Sequence, residues 1–533
     1  MKSTRQAAAD PSPNDLQGAL AAMDAAELRE VVSEILLELD DRAHDRVEGS
    51  ILRRGARGRS GWVPAPVHDR DVAEAVAFAE AATRKGHADP ADVDERLRRG
   101  SAAFLGKDYA AAHRILGALL RPFAEGEIDL GQHETIDEVL AVDARECAVQ
   151  YVVSAYMTSE PARRPEAVRA AIGEMKGAGD LFEPILEMER AAVEALPGMA
   201  DFLPAWRAGV EREAARGPRG EWDRDADRWL REVVGRMEGA DGLAKVARST
   251  RRAADLEAWC DCLVEAGDWK AALPAFEEAA ELVTDRAWAC GGFQDGAALA
   301  AQEVGHGDLS PWLERAWRAA PTMLRLRRWL GSAATRQATA GRVAEALQAC
   351  PDQARRQRAF LHILQGDLVR AAELLGQAPG LGWSHDEHPG HLVFPLFHRL
   401  LGGDSASRPS PALPGDGMGI EELELLTSDG DRGPQLAIPE VEDIVRDAGV
   451  DGPSDLGARK VVISAMRKAA ELRVVGVTEQ KRRGHYGHAA SLVAACVAAD
   501  PSAETRQWAA TLRGTYARFP ALRAEFDRRM GAR

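Results

Sequence analysis

The densest group of side chains able to hold a metal is the stretch WSHDEHPGHLVFPLFH, which sets His385, His388, His391 and His398 beside Asp386 and Glu387. Imidazole and carboxylate are zinc ligands. However, Pro389 and Gly390 interrupt any helix there, and three-residue steps do not converge on one ion without a dedicated loop. The stretch reads as a polar loop leading into an apolar helix at 392–401. Cys260 and Cys262 lie in a helical pattern, where positions two apart diverge. They read as small buried apolar residues rather than as chelators. The glycine-rich runs CGGFQDG (290–296) and GDGMG (415–419) lack the Lys-Ser/Thr and the preceding strand of a phosphate loop. No paired-histidine zincin motif, nucleophile elbow, kinase set or Rossmann fingerprint occurs. The expectation is a protein that is not an enzyme and uses neither cofactor nor metal.

A second cluster binds rather than reacts. Lys481, Arg482 and Arg483 are followed at once by His485, Tyr486 and His488, in a chain whose net charge is −16. A compact basic–aromatic patch can contact phosphates and stack a base, or it can dock an acidic peptide. The competing reading is a solvated helix–helix corner whose tyrosine packs inward. The run RRGARGR (53–59) is a weaker basic patch and reads as linker.

The elements that carry these groups are helices. Alanine, leucine, arginine and glutamate dominate, and aromatic residues are only 5% of the chain, which favours helix over strand. Hydrophobic residues at 45% and charged residues at 29% describe a globular chain. The acidic excess opposes general attraction to nucleic acid or anionic lipid. Six cysteines among 533 residues make no disulfide framework. The N-terminal stretch has no apolar core of a secretory signal, and no run of apolar residues is long enough to span a bilayer. A cytoplasmic location without membrane contact is expected.

Breaks in the hydrophobic pattern divide the chain. Residues 1–15 read as a loose tail, 16–60 as an N-terminal helical segment ended by a Gly/Pro-rich linker, and 69–401 as helices of ordinary length joined by short turns. Three helical hairpins share one pattern: RGSAAFLGKDYAAAHRILGALLRP, AWCDCLVEAGDWKAALPAFEEAAEL and AFLHILQGDLVRAAELLGQAP. Each has an apolar helix, a Gly-x-Asp or Gly-Asp turn, one bulky residue (Tyr109, Trp269 or Leu368) and an alanine-rich second helix. Residues 298–321, which include Trp312, are a degenerate version. The pattern resembles the tetratricopeptide repeat, whose turn glycine, aromatic residue and small alanines have similar offsets. The turn glycines Gly106, Gly267 and Gly366 are unevenly spaced, whereas a regular array repeats about every 34 residues. The fold expected is therefore all-α, an irregular α-solenoid of tetratricopeptide-like hairpins.

Residues 402–436 are dense in glycine, serine, proline and aspartate and read as a flexible acidic linker. A separate C-terminal helical domain is expected at 437–533: a short helix near 439–448, a longer one capped by Ser454 or Asp455, and two more from about Gly487. Its segment EQKRRGHYGHAASLVAACVAADPS, with the tryptophan-bearing helix and YARFPALRAEFDRRM that follow, is similar to the C-terminal helical region of bacterial proteins carrying a SWIM zinc finger. The Cys-x-Cys and Cys-x-His signature of that family is not reproduced here, so no zinc site is carried over.

Tryptophans cluster in the middle third (Trp206, Trp222, Trp229, Trp259, Trp269, Trp288, Trp312 and Trp317), as packing residues or as anchors for a partner. The leading functional expectation is a protein–protein interaction scaffold or adaptor that takes a peptide or helix in a repeat groove within residues 90–380. The residues nominated for partner binding are Tyr109, Trp269, Trp312, Lys481, Arg482, Arg483, His485, Tyr486 and His488. Two alternatives stand beside it. One is a regulator cleaved or released at 402–436, as in bacterial stress or defence systems. The other is a nucleic-acid-associated protein using the patch from Lys481 to His488.

Overall fold

The computed structural model describes residues 13–58, 62–132, 136–177, 179–216, 223–385, 387–402, 433–453 and 455–530. Among them the chain is all-α, with 25 α-helices, no β-strand and one isolated bridge between His87 and Asp129. No described helix is long and apolar enough to cross a membrane. Two compact units divide the chain, Met1–Leu243 and Ala244–Arg533.

The first unit holds α1 (Pro13–Ala22), α2 (Ala25–Glu38), α3 (Asp41–Arg57), α4 (Asp69–Lys85), α5 (Pro90–Leu105), α6 (Tyr109–Ala124), α7 (Ala144–Thr158), α8 (Arg164–Glu174), α9 (Pro184–Ala191) and α10 (Met199–Arg216). The chain then enters α11 (Asp225–Thr250), within which the division between the units falls. In α4, Val72, Ala75, Ala79 and Ala82 are buried at three- and four-residue steps, the stripe of a helix with one covered face. The sequence ARECAVQYVVSAYMT of α7 is apolar nearly all round, and its residues from Cys147 to Tyr156 are all buried, with α5, α6, α8 and α9 packed about it. The turn between the two parts of α11 is at Gly239, whose φ of 61° and ψ of −150° only glycine adopts at low cost.

The second unit continues with α12 (Ala253–Glu265), α13 (Trp269–Leu282), α14 (Ala287–Glu303), α15 (Ser310–Ala319), α16 (Met323–Gly331), α17 (Arg336–Ala349), α18 (Arg355–Gln365), α19 (Leu368–Gly376) and α20 (Gly390–Leu400). After residues 403–432 come α21 (Val441–Ala448), α22 (Leu456–Glu479), α23 (Tyr486–Ala499), α24 (Ala503–Thr515) and α25 (Pro520–Met530). From α12 to α19 each helix packs on the next. Close approach depends on glycine: a Cβ on Gly296 of α14 would overlap the ring of Phe276 on α13. The run 290–296, rich in glycine, is thus helix interior against a neighbour rather than a loop.

Two expected boundaries are corrected. The stretch 69–401 is not one unit, because the division falls at 243/244. Nor is 437–533 a separate domain. Helix α22 packs on α19, α21 sits against α16, α17 and α18, and Val462, Met466, Val474 and Val477 share one buried core with Leu361, Leu375 and Phe394. The reason is the apolar stripe of α22, which finds its cover on the preceding helices. A linker-like composition at 402–436 says nothing about what its two ends pack against. Asp455 caps α22, accepting from the backbone N–H groups of Gly457 at 2.6 Å and Ala458 at 3.0 Å, and three helices follow it rather than two. Residues 1–12, most of the expected linker and Ser454 lie outside the described residues.

Candidate functional site

The turn shared by the hairpins is built the same way each time. Asp108, Asp268 and Asp367 are N-caps, whose Oδ1 atoms accept the backbone N–H groups of Ala111 at 3.0 Å, Ala271 at 3.1 Å and Arg370 at 3.0 Å. The N–H of each of these aspartates also bonds back to the carbonyl five residues earlier: Ala103, Leu263 and His362, all at 2.9 Å. That closes a Schellman turn, which needs one residue in the left-handed region. Gly267 (φ 69°) and Gly366 (φ 84°) supply it in two hairpins. In the first hairpin Lys107 does so (φ 64°), while Gly106 is right-handed at −77°. The α22–α23 corner repeats the geometry with Lys481 at φ 54° and the N–H of Arg482 bonded to the carbonyl of Val477 at 2.9 Å.

These turns position the nominated side chains, but they do not gather them into one site. Tyr109 lies in the first unit, half-buried edge-on against Phe104 at 5.6 Å, and its hydroxyl donates to Glu194 at 3.2 Å. Burial, with Glu194 adding to it, pushes that hydroxyl above its ordinary range. Glu194, which is also paired with Lys107, lines a cleft of about 540 Å³ together with Arg57, Glu189, Val193, Leu196 and Met199. Arg57 donates there to the carbonyl of Ala192 at 2.8 Å, and Arg53 pairs with Glu146 at 2.8 Å, so the run 53–59 is anchored in the first unit rather than being a linker over its helical part. Trp269 and Trp312 lie in the second unit, both half-buried. The indole N–H of Trp312 donates to Glu277 at 2.8 Å. Trp206, Trp229, Trp259 and Trp317 are buried, Trp222 lies outside the described residues, and Trp288 is 64% exposed.

At the basic corner Lys481, Arg482 and Arg483 are exposed, whereas Tyr486 and His488 are buried and His485 is half-buried. Tyr486 and His488 are therefore withdrawn as partner contacts, because the first turn of α23 faces inward. His488 enters a polar node that no sequence spacing indicated. Its ring lies edge-on to Trp383 at 5.0 Å and stacks on His391 at 5.5 Å, while His388 approaches the same indole at 5.2 Å. Arg356 of α18 donates to the carbonyls of His388 at 2.9 Å and His385 at 2.6 Å. Arg473 of α22 reaches His485 Nδ1 at 3.3 Å. Gly380 lets this loop lie against α22, since a Cβ there would overlap the carbonyl oxygen of Leu472.

All three imidazoles are held neutral. His388 receives the N–H of Gly390 on Nδ1 at 3.0 Å and sets Nε2 2.8 Å from the carbonyl of Pro379, which fixes the proton on Nε2. Burial first, and then the nearby arginines, lowers the imidazoles to about 4 at His388, about 3 at His391 and about 2 at His488. His391 Nε2, His488 Nδ1 and Trp383 Nε1 are buried without a hydrogen-bond partner among the described residues.

His388 and His391 thus join His488 in a fastening between helices, while His385 is exposed and His398 is buried in α20. Among the described residues no group of three or more His, Cys, Asp or Glu is placed to hold a metal ion. Burial pushes the thiols of Cys147, Cys260, Cys350 and Cys496 upward, so none of these is an activated nucleophile. The signal that was legible in part is Arg473, a charge at a helical step from Ala469, Ala470 and Val477 on an apolar face. No protein-family model matches the chain, and no curated protein matches it in sequence.

Proposed function

We propose that the chain is a non-enzymatic protein–protein interaction scaffold, and that its second unit works as an irregular α-solenoid presenting a surface to a peptide or helix of a partner. The reading rests on one observation. The helices from α12 to α19 pack each on the next, and the first of them carry Trp269 and Trp312 half-buried and Trp288 largely exposed. Nearest-neighbour stacking is the mechanical basis of repeat scaffolds. An indole left in water, with the Arg325 guanidinium 5.3 Å from its ring, is a costly residue to expose unless something covers it.

The test compares tagged full-length wild type with Trp288→Ala in stoichiometric capture from the native host. A protein recovered by wild type and lost from the variant supports the reading. One retained equally by both, or none at all, counts against it. Trp288 supports little of the core, so the variant should keep the helical circular dichroism of wild type.

A second reading is favoured by the α22–α23 corner. Lys481, Arg482 and Arg483 are exposed and have no carboxylate partner among the described residues, which suits phosphate contacts in a nucleic acid. Binding of a single-stranded oligonucleotide at low salt, abolished by reversing these three charges, would move it to the front. Control by cleavage within 402–436 has less to act through, because Leu401, just before that stretch, and Leu436, its last residue, belong to the same core.

A further inference from the structure

We propose that α2 is a docking arm for a basic amphipathic helix of a partner protein, on the first unit and independent of the solenoid reading. The helix is well specified by its own sequence. Asp24 Oδ1 accepts the N–H groups of Ala26 at 2.6 Å and Glu27 at 2.9 Å, while Glu27 Oε2 accepts that of Asp24 at 2.8 Å, a complete capping box. Leu28, Val31, Val32, Ile35 and Leu39 recur at three- and four-residue steps as one apolar arc.

That arc is covered only in part. Not one residue of α2 is buried; along the arc Leu28, Val31 and Leu39 are half-buried, while Val32 is 38% exposed and Ile35 49%. The next helix is fastened to the unit through Arg42 to the carbonyl of Leu140 at 3.3 Å, Arg53 to Glu146 and Arg57 to the carbonyl of Ala192. Helix α2 packs chiefly on α3, with His44 Nδ1 set 2.9 Å from the carbonyl of Leu36. A lone 14-residue helix is marginal in water, and its stability ordinarily comes from packing its apolar face. Among the described residues nothing completes that packing, and the rest of the cover is assigned to a partner.

Charge selects among the occupants. Glu27, Glu30, Glu34 and Glu38 form a carboxylate stripe along one edge of the apolar arc. Glu30, Glu34 and Glu38 have no cationic partner among the described residues. A second copy offering the same helix would set carboxylate against carboxylate, and anionic lipid or nucleic acid would be repelled. A helix with lysine or arginine flanking an apolar stripe matches both features, in the helix-on-helix mode of recognition.

The experiment titrates the full-length protein with a labelled synthetic helix of about five turns, leucines on one face and lysines on its flanks, and with the same peptide carrying glutamate flanks. Binding of the lysine peptide alone is expected. It should weaken by about tenfold or more in Glu30→Lys/Glu34→Lys and in Val32→Ser/Ile35→Ser, with both charge and apolar contact contributing. The exposed pair Glu160→Lys/Glu166→Lys, in the same unit, should leave it unchanged. Equal loss in that control, or undiminished binding to Val32→Ser/Ile35→Ser, would show diffuse attraction to an acidic protein and overturn the proposal. A dimer in sedimentation that Val32→Ser/Ile35→Ser dissolves would assign the face to a second copy and overturn it too. Trp288→Ala leaves this binding intact, so failure here and failure of the solenoid reading are separate results.

Discussion

The two units keep polar groups in their interiors by opposite means. In the first, buried polarity is mostly carboxylate and hydroxyl. Asp94 accepts the N–H groups of Ala141 and Val142, both at 3.0 Å, the Tyr156 hydroxyl donates to the carbonyl of Pro197 at 2.7 Å, and Glu232 accepts the N–H of Leu186 at 2.7 Å. Burial, with Glu183 and Glu187 adding to it, lifts the Glu232 carboxyl to about 7. In the second unit the central polar node is three neutral imidazoles and two arginines around Trp383. The difference lies in the balance of states: the first holds an acid, Glu232, that wants its proton, while the second sets three bases that refuse theirs against one acid, Asp261, that burial lifts to about 6. Acidification should therefore act on the two with opposite sign.

The largest expected effect follows from the node. Its histidines have folded values well below the 6.5 of the unfolded chain, so the unfolded state binds more protons and stability falls as pH drops below about 6.5. At pH 5 each histidine costs about 2 kcal/mol and the three together about 6 kcal/mol. Amide hydrogen exchange in α20 and α23 should accelerate steeply from pH 8 to 5, after correction for intrinsic rates, and His488→Gln should soften the slope. Exchange there that stays flat over this range would break the comparison.

A smaller effect of opposite sign belongs to Glu232. Its folded value is raised above the ordinary carboxyl, so the protonated form is favoured in the fold and stability is lost as pH rises from about 4.5 through 7. The first unit should gain about 2 kcal/mol between pH 8 and 5 from this group. His113, stacked on Tyr151 at 4.5 Å and lowered by burial and Arg121, opposes that gain with one imidazole against the node's three. Glu232→Gln should remove the gain and stabilise the unit at pH 8, as read by exchange in α9. A pH response unchanged by that substitution would show that Glu232 does not carry it.

The smallest effect sharpens the contrast by being equal in both units. Asp108→Ala in the first and Asp268→Ala in the second remove the same cap from the same turn, and each should cost about 1 kcal/mol in chemical denaturation. A large inequality would place the difference between the units in their turns rather than in their interiors.

The hairpin turns were the most legible part of the chain, because a glycine, an aspartate and a bulky residue in fixed order have a local cause. Even there Lys107 took the left-handed position that the adjacent Gly106 suggests for itself. Two glycines of the 290–296 run were open to a different misreading. Gly291 and Gly296 let α14 meet Ala320 and Phe276, and a composition that signals a turn also signals close packing. The polar node was legible only in halves. His388, His391 and His488 stood out as residues, but their meeting depends on α22 lying against α19, a long-range choice that no spacing records. The basic corner kept its exposed cations and lost Tyr486 and His488 to the interior. Of the tryptophans, Trp288 is exposed in the first turn of α14 while Trp317 is buried in α15.

The shared core on either side of residues 403–432 has a consequence for covalent continuity. Leu401 and Leu436 are buried in the same cluster, and α21 and α22 complete the surface of α16 to α19. The peptide bonds between them thus hold together pieces that packing already holds. Supplied as two polypeptides divided within that stretch, the halves should reassemble, each unable to solubilise its apolar face alone. A natural split-reporter junction would then lie at the place where composition suggested a hinge.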